Sequence, residues 1–215
     1  MPLLLCDLDG TVLDRQEAFR RWAATFIDTF ALPAAAAAWL VEQDRDGYRD
    51  KAALFSAAKR RFALHRDVDD LVEGFREDFP MHFQLRPDTA DALERVRSAG
   101  WRIALVTNGG PGQLRKVNAT GLAAYVDSVT VSSVVGVRKP DARIFAAAAA
   151  ATRASLDGGW MIGDSPDADI QGAIRSDLRS VWLHRDRRWP AVDYTPTATA
   201  ATFAQAISVV MEHVE

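Results

Sequence analysis

Residues 102–122 read RIALVTNGGPGQLRKVNATGL: an apolar run, a Gly-rich turn, then a stretch with helical character. The run from 102 to 107 has the length and composition of a buried strand, and QLRKVNATGL that of a helix. The same unit recurs on either side. Upstream, Pro87 to Ala99 carries Ala90, Leu93, Val96 and Arg97 at helical spacing, and Gly100 stops it. Downstream, SVTVSS (128–133) reads as a strand. PDARIFAAAAAATRA (140–154) reads as a helix with Pro140 in its first turn, where proline is tolerated. WMIGD (160–164), a helix from about Asp167 to Arg175, the strand SVWLH (180–184) and an amphipathic helix near 199–213 complete the series. A repeated β-α pattern implies a parallel sheet with helices on both faces, so the expected fold is a doubly wound α/β domain.

Residues 15–84 break the rhythm. Phe19, Trp22, Phe26, Phe30, Trp39, Leu54, Phe55, Phe62, Leu71, Phe75 and Phe79 recur at roughly helical spacing, with no convincing strand. The expectation is an α/β core from residues 1–14 and 85–215, interrupted by an all-helical insertion at 15–84 whose aromatic stripe is its core. Gly47, within DRDGYRD, is the clearest interruption of those helices. The composition is that of a globular chain, at 48% apolar and 26% charged, and excludes a mostly disordered one. A net charge of -3 leaves no excess of basic residues for a nucleic-acid footprint, so any bound phosphate must be held by a local site. With no signal-like segment and no apolar stretch of membrane-spanning length, no membrane partner is expected. The single cysteine, Cys6, excludes an internal disulfide and makes the cytoplasm the default location; inside the first strand it reads as a small core residue. Six tryptophans leave room for a contact surface, and a monomer or a homodimer both remain open.

In an open parallel sheet, ligands bind beyond the carboxyl ends of the strands. The first strand runs into LCDLDGTVLD (5–14), which crowds Asp7, Asp9 and Asp14 into eight positions. Carboxylates at i and i+2 of a strand share a face and repel, a conflict that a hard divalent cation resolves, although Asp-Gly is equally a common turn. The second strand ends in VTNGG, where Thr107, Asn108 and Gly109 offer a hydroxyl, exposed amides and a helix start to an anion, or a plain cap and turn. GVRKPD places Lys139 directly before Pro140, and GDSPDADI brings a second acidic group, Asp164, Asp167 and Asp169. Two acidic clusters, a Thr/Asn/Gly pocket and a lysine, each at a different strand end, make an oxygen-rich metal site beside an anion site. Metal-assisted phosphoryl transfer needs both.

Taken in order, DLDGTVLD, VTNGG, RKPD and GDSPDADI resemble the four signature motifs of the haloacid dehalogenase-like superfamily. The resemblance covers the whole chain, with a Rossmann-like core and the insertion as a helical cap, and is similar to the subgroup of phosphoglycolate phosphatase, small nucleotidases and the 2-haloacid dehalogenases. It implies a magnesium-dependent phosphatase acting on a small phosphorylated metabolite, with Asp7 as nucleophile and Asp9 as general acid and base. It further implies Mg2+ held by Asp7, the Asp9 carbonyl and Asp164, with Asp169 supporting that shell or orienting Lys139. Thr107, Asn108 and Gly109 would hold phosphate oxygens, Lys139 would balance charge, and Gly10 would permit close backbone approach. Asp9 favours a phosphatase over a dehalogenase, since an alcohol leaving group needs a proton and a halide does not. A phosphosugar mutase also keeps this aspartate, but its Thr-Arg-containing cap signature is not found. A non-catalytic phospholigand-binding protein would have no reason to keep every reactive group. In the cap, Arg45, Tyr48 and Arg49 are the residues expected to select the substrate, with Trp22 and Arg20 or Arg21 as weaker candidates. Where the family has Ala-Gly, Ser176-Asp177 stands here, and since aspartate tolerates the left-handed conformation better than most residues, a local adjustment is expected.

Overall fold

The structure, a computed structural model, describes residues 1–213. The chain separates into two compact units, one of Met1–Leu13 with the chain from Leu85 onward, the other of Asp14–Gln84.

The first unit is built on strands β1 (Leu3–Cys6), β2 (Arg102–Thr107), β3 (Ser128–Val131), β4 (Trp160–Gly163), β5 (Arg179–Leu183) and β6 (Ala198–Ala200). They form a six-stranded parallel sheet in the order β3-β2-β1-β4-β5-β6. Chain direction therefore reverses its progress across the sheet between β1 and β4, the switch point at which doubly wound sheets open a crevice. β1, β2 and β4 are apolar and buried almost without interruption, as a sheet covered on both faces requires.

Helices α1 (Arg15–Thr29), α2 (Ala35–Asp44), α3 (Lys51–Phe62) and α4 (Val68–Asp78) lie in the second unit. Those of the first are α5 (Pro87–Ser98), α6 (Gly112–Ala119), a single turn α7 (Ser132–Val135), α8 (Ala142–Thr152), α9 (Gln171–Arg175) and α10 (Phe203–Glu212). On one face of the sheet, Leu3, Leu5, Ala104, Val106 and Met161 pack with Ile144, Phe145 and Ala148 of α8 and Ala173 of α9. Strand alternation turns Leu4, Ile103, Trp160 and Ile162 to the other face, where α5 and α10 contact the sheet. Each such fully buried aliphatic side chain contributes about 1.5–3 kcal/mol, enough to hold the strand ends in fixed register. Cys6 is fully buried within β1, and burial raises its thiol pKa far above the ordinary range.

Four local expectations change. Pro140 lies before α8 rather than in its first turn, because Asp141 takes the cap position and accepts a hydrogen bond from Arg143 N–H at 3.0 Å. Ser132 and Ser133 leave β3 for α7, and the Ser132 hydroxyl meets the Gly109 N–H at 3.0 Å. The segment from Pro166 to Ile170 is π-helical before α9 begins. Ala198–Ala200 forms the edge strand β6 instead of opening the last helix, which starts at Phe203 behind the Thr202 cap. Asp177 adopts φ 55°, in the left-handed region.

The second unit is all-helical. Asp14 caps α1 through Glu17 N–H, and Asp50 caps α3 through Ala53 N–H, both at 2.9 Å. Phe19, Trp22, Phe26, Phe55 and Phe75 are buried against one another, with Trp22 and Phe75 edge-to-face at 4.8 Å. Asp44, at the end of α2, is a buried hub: its carboxylate accepts from Arg15 at 2.6 Å, Lys51 at 2.7 Å and Gly47 N–H at 2.8 Å. Arg45, Asp46 and Gly47 are consecutive left-handed residues, and a Cβ on Gly47 would fall 2.6 Å from the Arg15 guanidinium carbon. Among the described residues no helix is long and apolar enough to cross a membrane.

Candidate active site

β1 ends at Cys6, and the Asp7 N–H bonds the Ile162 carbonyl of β4 at 2.9 Å, fixing Asp7 at the switch point. Its Oδ1 is 2.5 Å from Lys139 Nζ, and its Oδ2 accepts from the Thr11 hydroxyl at 3.5 Å. The same ammonium lies 2.7 Å from Asp169 Oδ1, so one buried lysine bridges two buried carboxylates. Lys139 is far from both aspartates in sequence, and Asn108 at the end of β2 brings it there. The Asn108 amide accepts from Lys139 N–H at 2.9 Å and donates to the Lys139 carbonyl at 3.0 Å. That side chain is thus spent on positioning the lysine.

Asp169 is held from below β4. Its Oδ2 accepts from Ser165 N–H at 2.9 Å, and a Cβ on Gly163 would stand 2.3 Å from its carboxyl carbon, so only glycine leaves it room. Oxygen atoms of Asp7, Asp164 and Asp169 lie within 4.8 Å of one another. Burial, with Asp169 and Asp164 nearby, pushes the Asp7 carboxyl up against the pull of Lys139. Asp164 is pushed up by burial and Asp169, with Arg185 and Arg187 opposing. Burial works against the charge on Lys139, but Asp169 and Asp7 outweigh it and hold the ammonium protonated. An all-carboxylate set in which Asp7 and Asp164 are both pushed up is a good match to a hard divalent cation, which takes oxygen ligands and relieves like-charge repulsion. Asp7, Asp164 and Asp169 are the residues that could hold one.

Asp9 does not share a strand face with Asp7, because β1 has ended before either residue and the chain is turning. Its carboxylate leaves the cluster for α6: Oδ2 is 2.5 Å from Lys116 Nζ and 3.1 Å from Gln113 Nε2. Gln113 also donates to the Thr107 hydroxyl at 2.6 Å, linking Asp9 to the end of β2. Gly109 admits this glutamine, since a Cβ there would fall 2.7 Å from Gln113 Cγ. Gly10, at φ +84°, is equally constrained: a Cβ would stand 2.9 Å from Asp164 Oδ2 and 2.7 Å from Arg185 Nη1.

The structure thus brings Asp7, Asp9, Gly10, Thr107, Asn108, Gly109, Lys139, Asp164 and Asp169 to the carboxyl ends of β1, β2 and β4. Asp167 faces elsewhere and accepts from the Tyr194 hydroxyl. Arg45, Tyr48 and Arg49 belong to the second unit. Tyr48 is largely exposed there, whereas the Arg49 guanidinium bonds Gln43. Trp22 is a core residue of its unit, and Arg20 and Arg21 both pair with Glu17. Four participants escaped the sequence reading: Gln113, Lys116, Arg185 and Arg187. The i, i+3 spacing of Gln113 and Lys116 on α6, just past the Gly-rich turn, was the one available signal for the first two.

Residues 1–177 match the profile of the haloacid dehalogenase-like hydrolases. Over 123 residues the chain is 35% identical to a phosphoserine phosphatase of Thermus thermophilus, covering 55% of this chain and 48% of that one. It is 30% identical over 129 residues to the pyrimidine 5'-nucleotidase YjjG of Escherichia coli, covering 59% and 57% respectively. The matched region therefore spans about half the length of these relatives. In fold it is similar to the magnesium-bound hydrolase YfnB of Bacillus subtilis, with a TM-score of 0.78 at 22% identity over 97% of this chain and 98% of that one. It also resembles the L-2-haloacid dehalogenase RSc1362, at TM-score 0.72 and 18% identity over 98% and 99%.

Proposed function

Because the chain belongs to the haloacid dehalogenase-like hydrolases, we propose that it is a magnesium-dependent phosphatase that hydrolyses a small phosphomonoester through an aspartyl-phosphate on Asp7. The observation that carries this reading is the division of labour between Asp7 and Asp9. Asp7 faces Lys139 and the carboxylate cluster, and Asp9 faces Lys116 and Gln113. Two acids two residues apart are thereby held in different surroundings, the arrangement that separates a nucleophile from an acid-base group.

An Asp7 carboxylate oxygen attacks phosphorus, and the bond from phosphorus to the substrate oxygen breaks. Asp9 gives its proton to the departing alkoxide, which leaves as an alcohol. Asp9 then takes a proton from the water that attacks the acyl phosphate, releasing inorganic phosphate and restoring Asp7. Lys139, buried and charged, stabilises negative charge on Asp7 and on the transferring group, and Asp169 keeps it aimed. The Thr107 hydroxyl and the Asn108 N–H bind phosphate oxygens, whereas the Gly109 N–H is bonded to the Ser132 hydroxyl. Asp7, Asp164 and the Asp9 carbonyl would hold Mg2+, with Asp169 supporting them, and the ion when bound would neutralise charge on the phosphoryl oxygens. A dehalogenase has no use for a carboxyl that protonates a leaving group, because a halide leaves without a proton. Arg45, Tyr48 and Arg49 are assigned to substrate selection, and their single substitution should move KM more than kcat.

The test is phosphate release from a panel of small phosphomonoesters, with and without magnesium, by the wild type and Asp7→Asn. Release that needs magnesium and vanishes in Asp7→Asn is expected. Turnover that survives in Asp7→Asn would refute the covalent mechanism, and halide release from 2-haloacids without phosphate release would refute the reaction class.

A further inference from the structure

Thr107 closes β2, and its main chain is fixed by parallel pairing with Val131 of β3. The side chain is β-branched and 1% exposed, so the hydroxyl oxygen has little room to move. What can still turn is the O–H bond. A hydroxyl carries one proton and two lone pairs, and whichever faces a phosphate oxygen decides whether the two attract or repel. Gln113, on α6, settles that direction.

The Gln113 side chain folds back onto β2 because Gly109 makes way for it. A Cβ at Gly109 would fall 2.7 Å from Gln113 Cγ and 2.9 Å from its Cδ. The glutamine is buried, and its Nε2 stands 2.6 Å from the Thr107 hydroxyl oxygen and 3.1 Å from Asp9 Oδ2. Asp9 Oδ2 also lies 2.5 Å from the Lys116 ammonium, which has only donors. That oxygen is therefore an acceptor, and the end of the amide facing it is the NH2 group. An NH2 has two protons, and here one goes to Asp9 and the other to Thr107. The Thr107 hydroxyl accepts from Gln113, so its own proton points elsewhere. Among the described residues no carbonyl or carboxylate takes it.

We infer that Gln113 is a positioning residue that sets the hydrogen-bond sense of the Thr107 hydroxyl, presenting its proton to a phosphate oxygen while the same amide holds Asp9. This rests on the phosphate site of the proposed function. Phosphate oxygens accept, and a hydrogen bond to a charged group is stronger than one between neutral partners. In a buried site a lone pair turned toward the anion would repel it with little screening. Glutamate at 113 is the discriminating change, because an ionised carboxylate only accepts. It would keep a bond to Thr107 at nearly the same shape, but it would draw the hydroxyl proton to itself and reverse the sense of that bond.

The test is binding of inorganic phosphate with Mg2+ present, measured by titration calorimetry. The proteins compared are the wild type, Gln113→Met, Gln113→Glu, Thr107→Val, and each Gln113 change combined with Thr107→Val, with thermal melts to show that each is folded. Thr107→Val should weaken binding by about tenfold or more, through loss of a hydrogen bond to a charged group. Gln113→Met should weaken it by about threefold, because the O–H then samples three staggered positions instead of one. Gln113→Glu should weaken it by about tenfold or more, beyond Gln113→Met. Beside Thr107→Val, Gln113→Met should cost nothing further, and the loss from Gln113→Glu should shrink to the part that its charge alone causes. The Gln113→Met cycle decides by itself if Gln113→Glu does not fold. Wild-type affinity in both Gln113 variants, or losses as large without the Thr107 hydroxyl as with it, would overturn the inference, while weak binding by Thr107→Val would leave the phosphate site standing. Wild-type affinity in Thr107→Val, or no phosphate binding by the folded wild type, would overturn both.

Discussion

Replacing Lys139 by methionine removes the one ammonium that bridges Asp7 and Asp169, at 2.5 and 2.7 Å, from a place where its side chain is 2% exposed. Methionine fills much the same volume, so the loss is of charge and hydrogen bonds rather than of packing. Breaking a buried ion pair by removing one partner costs about 3–5 kcal/mol, because the remaining charge is left uncompensated. At roughly 2–4 °C per kcal/mol for a chain of this size, the melting temperature in chelator at about pH 9.5 should fall by about 10 °C. The pH dependence identifies the cause. The Asp7 carboxyl is already pushed up by burial and by Asp169 and Asp164, and Lys139 is what restrains it. In the variant its folded pKa rises further, so the folded variant takes up a proton that the unfolded chain, with aspartate near 3.9, takes up only in more acid solution. With the wild-type Asp7 carboxyl pushed up to about 8, the variant's deficit must be largest at about pH 9.5, shrink as pH falls to about 7, and stay level below that, where both folded proteins carry the proton. Lys139 contributes no slope of its own there, since its raised pKa keeps it protonated throughout. Calorimetry, or urea titration followed by the fluorescence of buried Trp160 and Trp182, measures both values. A deficit under about 1 kcal/mol at about pH 9.5, or one equal at about pH 9.5 and about pH 7, would refute the claim that Lys139 compensates buried carboxylates. Added Mg2+ should narrow the deficit at pH 8.

Gly163→Ala places a Cβ 2.3 Å from the Asp169 carboxyl carbon. The carboxyl must move off Lys139, and phosphatase kcat should fall by about a hundredfold, with the altered position visible in a crystal structure. Asp44→Ala strips a buried acceptor from Arg15, Lys51 and Gly47 N–H, and should destabilise the helical unit by about 3 kcal/mol, read as faster proteolysis between residues 14 and 84. Lys116→Met frees the Asp9 carboxyl from its 2.5 Å partner. It should lower kcat for alkyl phosphates by about tenfold or more while sparing p-nitrophenyl phosphate, whose leaving group needs no acid. Equal losses on both substrates would remove Lys116 from the protonation step.

What the sequence disclosed and what it hid follow from how far each interaction reaches. Asp7, Thr107 and Asp164 stand where short apolar runs stop, and in a parallel sheet those stops converge on one edge, so each could be read from its own neighbours. The sixth strand, ATA, is too short to show a period, and its pairing with β5 rather than its composition makes it a strand. Pro140 suits both a first helical turn and the residue before a cap, and the Asp141 side chain decides between them. Lys116 reaches Asp9 across 107 positions, and Arg185 reaches Asp164 across 21, from a surface loop with no motif. Long basic side chains that act at a distance leave no local pattern.

Those basic residues also alter the answer to the question that the crowded aspartates pose. A bare reading of DLDGTVLD asks for a cation to reconcile Asp7 with Asp9. The chain reconciles them with its own lysines, pairing each aspartate at 2.5 Å with a different one, from different elements. The remaining conflict lies among Asp7, Asp164 and Asp169, and there three carboxylates face Lys139, Arg185 and Arg187. A site balanced in this way can fold without waiting for a metal, which avoids burying three acids unpaired. The same balance means that a divalent ion adds two positive charges to a neutral set. Lys139 is buried and its main chain is fixed by Asn108, so its ammonium stays beside Asp7 and Asp169 as that charge enters.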